Sequence, residues 1–102
     1  MTWGKEWTAN NYNKENHNCA DFVRALCNIP KEEGKALSEQ IANYREKPIQ
    51  YMQPGDIVLN ANFSHCGVCT QYPYVAHYTR SGVVVESYIY AFAGGFAYVP
   101  MD

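Results

Sequence analysis

Two periodicities divide the chain. In the first part, Cys19, Phe22, Val23, Leu26 and Cys27 recur at i, i+3, i+4, i+7 and i+8, the apolar stripe of an amphipathic helix. Asn18 is a favoured N-cap, and Asp21 falls at the third helical position, where a carboxylate can reach back to the cap. Asn28-Ile29-Pro30 stops the helix. A second helix is expected over residues 32–46, with Leu37, Ile41 and Tyr44 on its apolar side; Gly34 weakens its first turn and Pro48 ends it. From the turn signal Pro54-Gly55 onward, strands dominate. They are expected at 56–60, 65–71, 74–80, 83–88 and 96–99. Ser81-Gly82 makes a tight hairpin between the third and fourth, and Gly94-Gly95 marks a turn or bulge before the last. Residues 1–17 are polar and Asn-rich, with Trp3, Trp7 and Tyr12 as anchors over the core. Helices first and strands afterwards predict one α+β domain, with N-terminal helices packed on one face of a five-stranded antiparallel sheet.

The strand period of two decides which side chains meet the helix. On the second strand, His65, Gly67 and Cys69 share one face, and Cys66, Val68 and Thr70 the other. On the third, Val75, His77 and Thr79 face opposite to Tyr74, Ala76, Tyr78 and Arg80. Neighbouring strands joined through Tyr72-Pro73 would set His65 and His77 side by side. The expectation is that the helix carrying Cys19 covers that same face.

Bulk properties narrow the classes. A chain of 102 residues is near the usual domain size and can bury roughly 65% of its unfolded surface, enough for a core without staples. Hydrophobic residues at 47% against charged residues at 18% indicate a globular chain. With a net charge of only -2 and no basic block, nucleic acid and anionic membranes are poor candidates for partners. No apolar run approaches the ~20 residues needed to span a bilayer. The opening Met1-Thr2-Trp3-Gly4-Lys5-Glu6-Trp7 lacks an apolar secretory stretch, so work outside the cytoplasm implies another route or a longer parent protein. Four free thiols are then the expectation. Nine tyrosines are the compositional outlier. Tyr72, Tyr74, Tyr78, Tyr88, Tyr90 and Tyr98 read either as strand formers with wet hydroxyl tips or as an aromatic rim around a binding cleft.

The candidate chemistry starts at Cys19, the first residue of its helix and inward-facing. Unpaired amides and the positive end of the helix dipole favour thiolate there. An inert buried cysteine is the competing reading. Two histidines on strands that should pack nearby argue against it. In the resulting Cys-His-His triad, His65 is the general base, taking the thiol proton and returning it to the leaving amine. His77 orients the His65 ring and fixes its tautomer, and the Cys19 backbone amide is a natural oxyanion donor. His17, two residues before Cys19, is expected to be solvated or supporting. Cys66-Gly67-Val68-Cys69 has a zinc spacing, but a regular strand points the two thiols to opposite faces and no second Cys/His pair exists. No metal and no cofactor is implied.

These residues resemble the NlpC family of papain-like bacterial cell-wall cysteine peptidases. That family opens a helix with an Asp-Cys-Ser-Gly-Phe-like motif, followed by a Pro-Gly-Asp-apolar-apolar strand, a His-x-Gly-apolar strand and a third polar residue, commonly histidine. Here Asn18-Cys19-Ala20-Asp21-Phe22-Val23, Pro54-Gly55-Asp56-Ile57-Val58, His65-Cys66-Gly67-Val68 and His77 stand in that order, over roughly residues 12–90. The resemblance implies a papain-like fold, cleavage of a peptide amide through an acyl-enzyme, and a peptidoglycan stem peptide or other peptide as substrate. Asn18 and Ala20 stand where the family has an acidic residue and a serine that help read the substrate amine, so the resemblance carries amide cleavage rather than a particular amide. Asn-Cys-x-x-Phe-Val is also similar to the lecithin:retinol acyltransferase-like proteins, but there the histidines precede the cysteine. Small enzymes of this kind resemble phage lysis or tail proteins and secreted toxins, which would bring an immunity or delivery partner. The alternatives are a non-catalytic papain-like module that binds a peptide or protein, and an acyltransferase using the same triad.

Overall fold

The computed structural model of the chain describes residues 7–12 and 18–100. Helix α1 spans Cys19–Cys27, as its apolar period predicts. The Asn18 side chain accepts from the Asp21 N–H at 3.0 Å, and Asn28, at a left-handed φ of 56°, closes the far end. Asp21 does not reach back to the cap; its carboxylate meets Arg24 Nη1 at 3.0 Å instead.

The second helix is one turn, α2, Leu37–Gln40. Leu37 and Ile41 are buried, so a single turn already places the apolar pair that suggested a longer helix. Gln40 holds that turn to α1, accepting from Arg24 Nε at 2.7 Å and donating to Pro30 O at 2.7 Å. The segment expected to continue the helix is extended instead, as strand β1, Arg45–Pro48. Five further strands follow: β2 Ile57–Leu59, β3 Cys66–Gln71, β4 Tyr74–Thr79, β5 Gly82–Ser87 and β6 Phe96–Val99.

Among the described residues these form one antiparallel sheet in the order β1-β6-β2-β3-β4-β5. The expected α+β, papain-like arrangement of helices packed on a five-stranded sheet is therefore overturned. Its described residues are mostly β, with six strands and one helix longer than a turn. The sixth strand arises because β6 has two edges to satisfy: Tyr98 pairs with Ile57 of β2 on one side and with Glu46 of β1 on the other.

Both faces of the sheet are covered. On one, Phe22 and Val23 of α1 pack with Val68, Ala76 and Tyr78. Trp7 and Tyr12 anchor this side, their rings 5.2 and 5.3 Å from that of Tyr78. On the other, Ile49, Met52 and Phe92 cover Val58, Cys69, Val75 and Ala97. Burial on both faces is what makes β2 apolar at every position. Trp3 lies outside the described residues.

Candidate active site

Cys19 stands at the first position of α1. The Asn18 side chain takes the Asp21 N–H, and the N–H groups of Cys19 and Ala20 have no acceptor within the helix. This helix end lies beside the end of the sheet where β2 finishes and β3 begins, and Leu59, His65 and Cys66 share a cavity with Cys19.

His65 immediately precedes β3, at the base of a turn that grips its backbone. Asn60 N–H donates to His65 O at 3.1 Å, and His65 N–H donates to Asn60 Oδ1 at 3.0 Å. Its ring stacks on Phe92, centroids 5.3 Å apart and 19° from parallel. His77 is buried in β4, in the alternation that places it opposite Ala76 and Tyr78. Both rings therefore belong to the Phe92 side of the sheet. The expectation that α1 covers the histidine face is corrected: α1 packs on the other face, and Cys19 reaches His65 around the end of β3. Gly67 lies between them in register, and a Cβ there would come within 2.6 Å of Val75 Cγ1 and 3.1 Å of His77 Cβ. Only glycine lets β3 approach β4 this closely beside His77.

The rings are joined by His65 Nε2 and His77 Nδ1 at 2.7 Å, and His77 Nε2 lies 2.7 Å from Glu86 Oε2. The carboxylate sets every tautomer in this series. It only accepts, so His77 Nε2 carries a proton and, in a neutral ring, Nδ1 is an acceptor. His65 then donates from Nε2, which leaves Nδ1 as the nitrogen that takes the Cys19 proton, giving a thiolate beside an imidazolium. Burial, the largest influence, lowers the His77 pKa, with the Glu86 hydrogen bond working in the opposite direction. We therefore read the 2.7 Å contact as a hydrogen bond from a neutral ring rather than an ion pair.

Cys19 is held as thiolate, its pKa lowered to about 4. The strongest cause is a hydrogen bond from the Cys66 thiol; burial opposes it, and a hydrogen bond and the charge of His65, with the Cys66 backbone, add to it. Cys66 is correspondingly pushed well above its usual value, first by that hydrogen bond and then by burial. The other thiols behave as apolar side chains: burial raises Cys27 and Cys69 to about 11.

The cavity at Cys19 has a volume of about 290 Å³; Arg24, Lys31 and Lys35 line it, and among the described residues no acidic one does. None of the tyrosines lines it either: Tyr78 and Tyr98 are buried in the core, and Tyr72, Tyr74 and Tyr90 are exposed elsewhere. A larger, more apolar cavity near Cys27 and Cys69 contains none of these reactive groups. Among the described residues, no three His, Cys, Asp or Glu side chains converge as a metal site, and Cys66 and Cys69 fall in separate cores on opposite faces.

The structure thus brings Cys19, His65 and His77 together. His17 lies outside the described residues. Sequence reasoning missed Glu86, the hydrogen-bonding part of Cys66, and Phe92. For Glu86 a partial signal was present in the expected hairpin, although the turn is Arg80-Ser81, one residue before the expected Ser81-Gly82, so that His77 pairs with Val84 and Val75 with Glu86. That makes Glu86 a diagonal neighbour of His77 on one face. No family model and no curated protein matches this sequence.

Proposed function

We propose that this chain is a cysteine peptidase or amidase of the NlpC type, cleaving a peptide amide through an acyl-enzyme on Cys19. What carries the reading is the continuous hydrogen-bonded series Glu86–His77–His65 leading to a thiolate. Such a series has a directed purpose in nucleophilic catalysis and none in packing.

The steps follow from the protonation states. Cys19 Sγ attacks the amide carbon, and the negative oxygen is met by the unpaired N–H groups at the start of α1. The His65 Nδ1 proton passes to the leaving amine, which departs and leaves a thioester and a neutral ring. Water then attacks the thioester, giving its proton back to Nδ1, and Cys19 leaves as thiolate beside the imidazolium. His77 moves no proton. It holds the ring from behind, and Glu86 holds His77.

A peptidoglycan stem peptide is taken as substrate on the sequence resemblance: Arg24, Lys31 and Lys35 line the cavity, but Arg24 and Lys31 lie 3.0 and 3.8 Å from the Asp21 carboxylate and Lys35 lies 3.9 Å from that of Glu32. The test is incubation with isolated stem peptides and scoring of newly freed amines. Cleavage that disappears in Cys19→Ala, with a native far-UV spectrum retained, is the expected result. Full turnover by that variant would overturn the proposal. A binding module would instead show saturable peptide binding, no new amine and four thiols of ordinary reactivity.

A further inference from the structure

Cys66 is a buried nucleophilic group that the proposed reaction does not consume. It follows His65 directly, so the strand alternation sends its side chain to the α1 face. There it lines the same cavity as Cys19, and it is the largest influence on the Cys19 thiol. Helix α1 and strand β3 pack directly on each other, which sets the two thiols in one cavity. The remaining cysteines are out of reach: Cys27 is at the other end of α1, about 12 Å along the helix, and Cys69 is in the core on the opposite face.

We infer that Cys19 and Cys66 form a reversible redox pair, in which a hydroperoxide oxidises Cys19 and Cys66 closes a disulfide that switches the site off and protects it. This rests on Cys19 being the reactive thiolate of the preceding section. The Cys19 sulfur attacks the distal oxygen of the hydroperoxide; the O–O bond breaks, and the alcohol or water leaves with a proton from the His65 ring. Cys19 is then a sulfenic acid. The Cys66 sulfur attacks it, the S–S bond forms, the S–O bond breaks, and hydroxide leaves as water with the Cys66 proton. Two thiols and one hydroperoxide become a disulfide, an alcohol and water.

The order of events is built into the pair. While Cys19 is anionic, its hydrogen bond and charge suppress ionisation of Cys66, so only one sulfur is reactive. Oxidation removes that anion and releases Cys66 to act as nucleophile. An outcome without Cys66 would be a sulfinic acid, which ordinary thiols do not reverse.

The test is oxidation of the whole protein by stoichiometric hydrogen peroxide, with non-reducing peptide mapping and dithiothreitol recovery. We expect the Cys19–Cys66 disulfide as the major product, with iodoacetamide reactivity of Cys19 lost and then fully restored by dithiothreitol. With two or more equivalents of peroxide, Cys66→Ala and Cys66→Ser should accumulate Cys19 sulfinic acid, at least tenfold more than wild type. Wild type that proceeds to sulfinic acid, or that links Cys19 to Cys27 or Cys69, overturns the inference, and this arm decides even if neither variant folds. A Cys19 that alkylates rapidly below pH 7 but forms no disulfide sinks the pair and spares the enzyme reading. One that neither alkylates nor oxidises sinks both.

Discussion

Removing the Cys66 thiol while keeping its backbone should raise the Cys19 pKa by an amount the structure sets. The wild-type value of about 4 has the Cys66 thiol as its largest single cause. A hydrogen bond to a charged group contributes about 1.5–3 kcal/mol, and a pKa unit is 1.36 kcal/mol. Cys66→Ala should therefore move the Cys19 midpoint up by about 1–2 units, to about 5–6. His65 and the Cys66 amide would still hold it well below an ordinary thiol. Cys66→Ser, which restores a donor, should return most of the shift. The assay is the rate of iodoacetamide addition between pH 3 and 9, followed on the Cys19 peptide by mass spectrometry. Above the midpoint the variant should react about threefold faster per unit gained, because nucleophilicity rises with basicity. An unchanged midpoint in Cys66→Ala, or a wild-type midpoint near that of a free thiol, would refute the reasoning.

Further variants extend the test. Glu86→Ala should lower kcat/KM about tenfold, the screened remainder of a charge-assisted hydrogen bond at a half-exposed carboxylate, while His77→Gln, able to accept from His65 and donate to Glu86, should retain far more activity than His77→Ala. Steady-state rates on one stem peptide compare them, and equal losses in both His77 variants would contradict the assigned role. Gly67→Ala must push Val75 or the β4 backbone aside and should cost about 1–3 kcal/mol, read as a lower Tm together with lost turnover. Cys69, raised by burial to about 11, contributes stability that is complete below its unfolded pKa and lost as pH rises towards 11; wild type should weaken there by up to about 2–3 kcal/mol, and Cys69→Val should weaken less in denaturant titrations at pH 8 and 11.

The position of Cys19, the proposed nucleophile, at the start of α1 was legible because its signals are local. The stripe from Cys19 to Cys27 fixes a helix, and Asn18 fixes where it starts. The segment after Gly34 was not legible, because Leu37, Ile41 and Tyr44 fit a helical period while Arg45, Glu46 and Lys47 show no alternation. An edge strand needs none: charges there discourage further pairing, and Pro48 at the strand end forfeits no inner hydrogen bond. Whether such a segment pairs is decided by a partner, β6, some fifty residues away in sequence, with Arg45 opposite Val99. Glu86 hid for a related reason. After Val83-Val84-Val85 it reads as a solvent-facing charge, and only the hairpin register turns it towards His77.

The face assignment shows how a sequence can single out residues that do meet while placing the helix on the wrong face. Strand alternation requires His65 and Cys66 to leave the backbone on opposite sides, so a helix covering one face meets only one of them. Placing α1 over the histidines would have buried Cys19 against rings and left Cys66 on the far side, unable to touch it. With α1 on the Cys66 face and its first residue at the end of the sheet, the two sides of the pleat converge on one sulfur. Cys66 approaches from the helix face, and His65, free of the ladder just before β3, swings in from the Phe92 face. The thiolate therefore depends on the register of β3 as much as on the residues themselves. A shift of one position would exchange the ring for the thiol and separate His65 from His77. The pairing of Leu59 with Cys66 and the Asn60–His65 hydrogen bonds, which set that register, are in this sense part of the site.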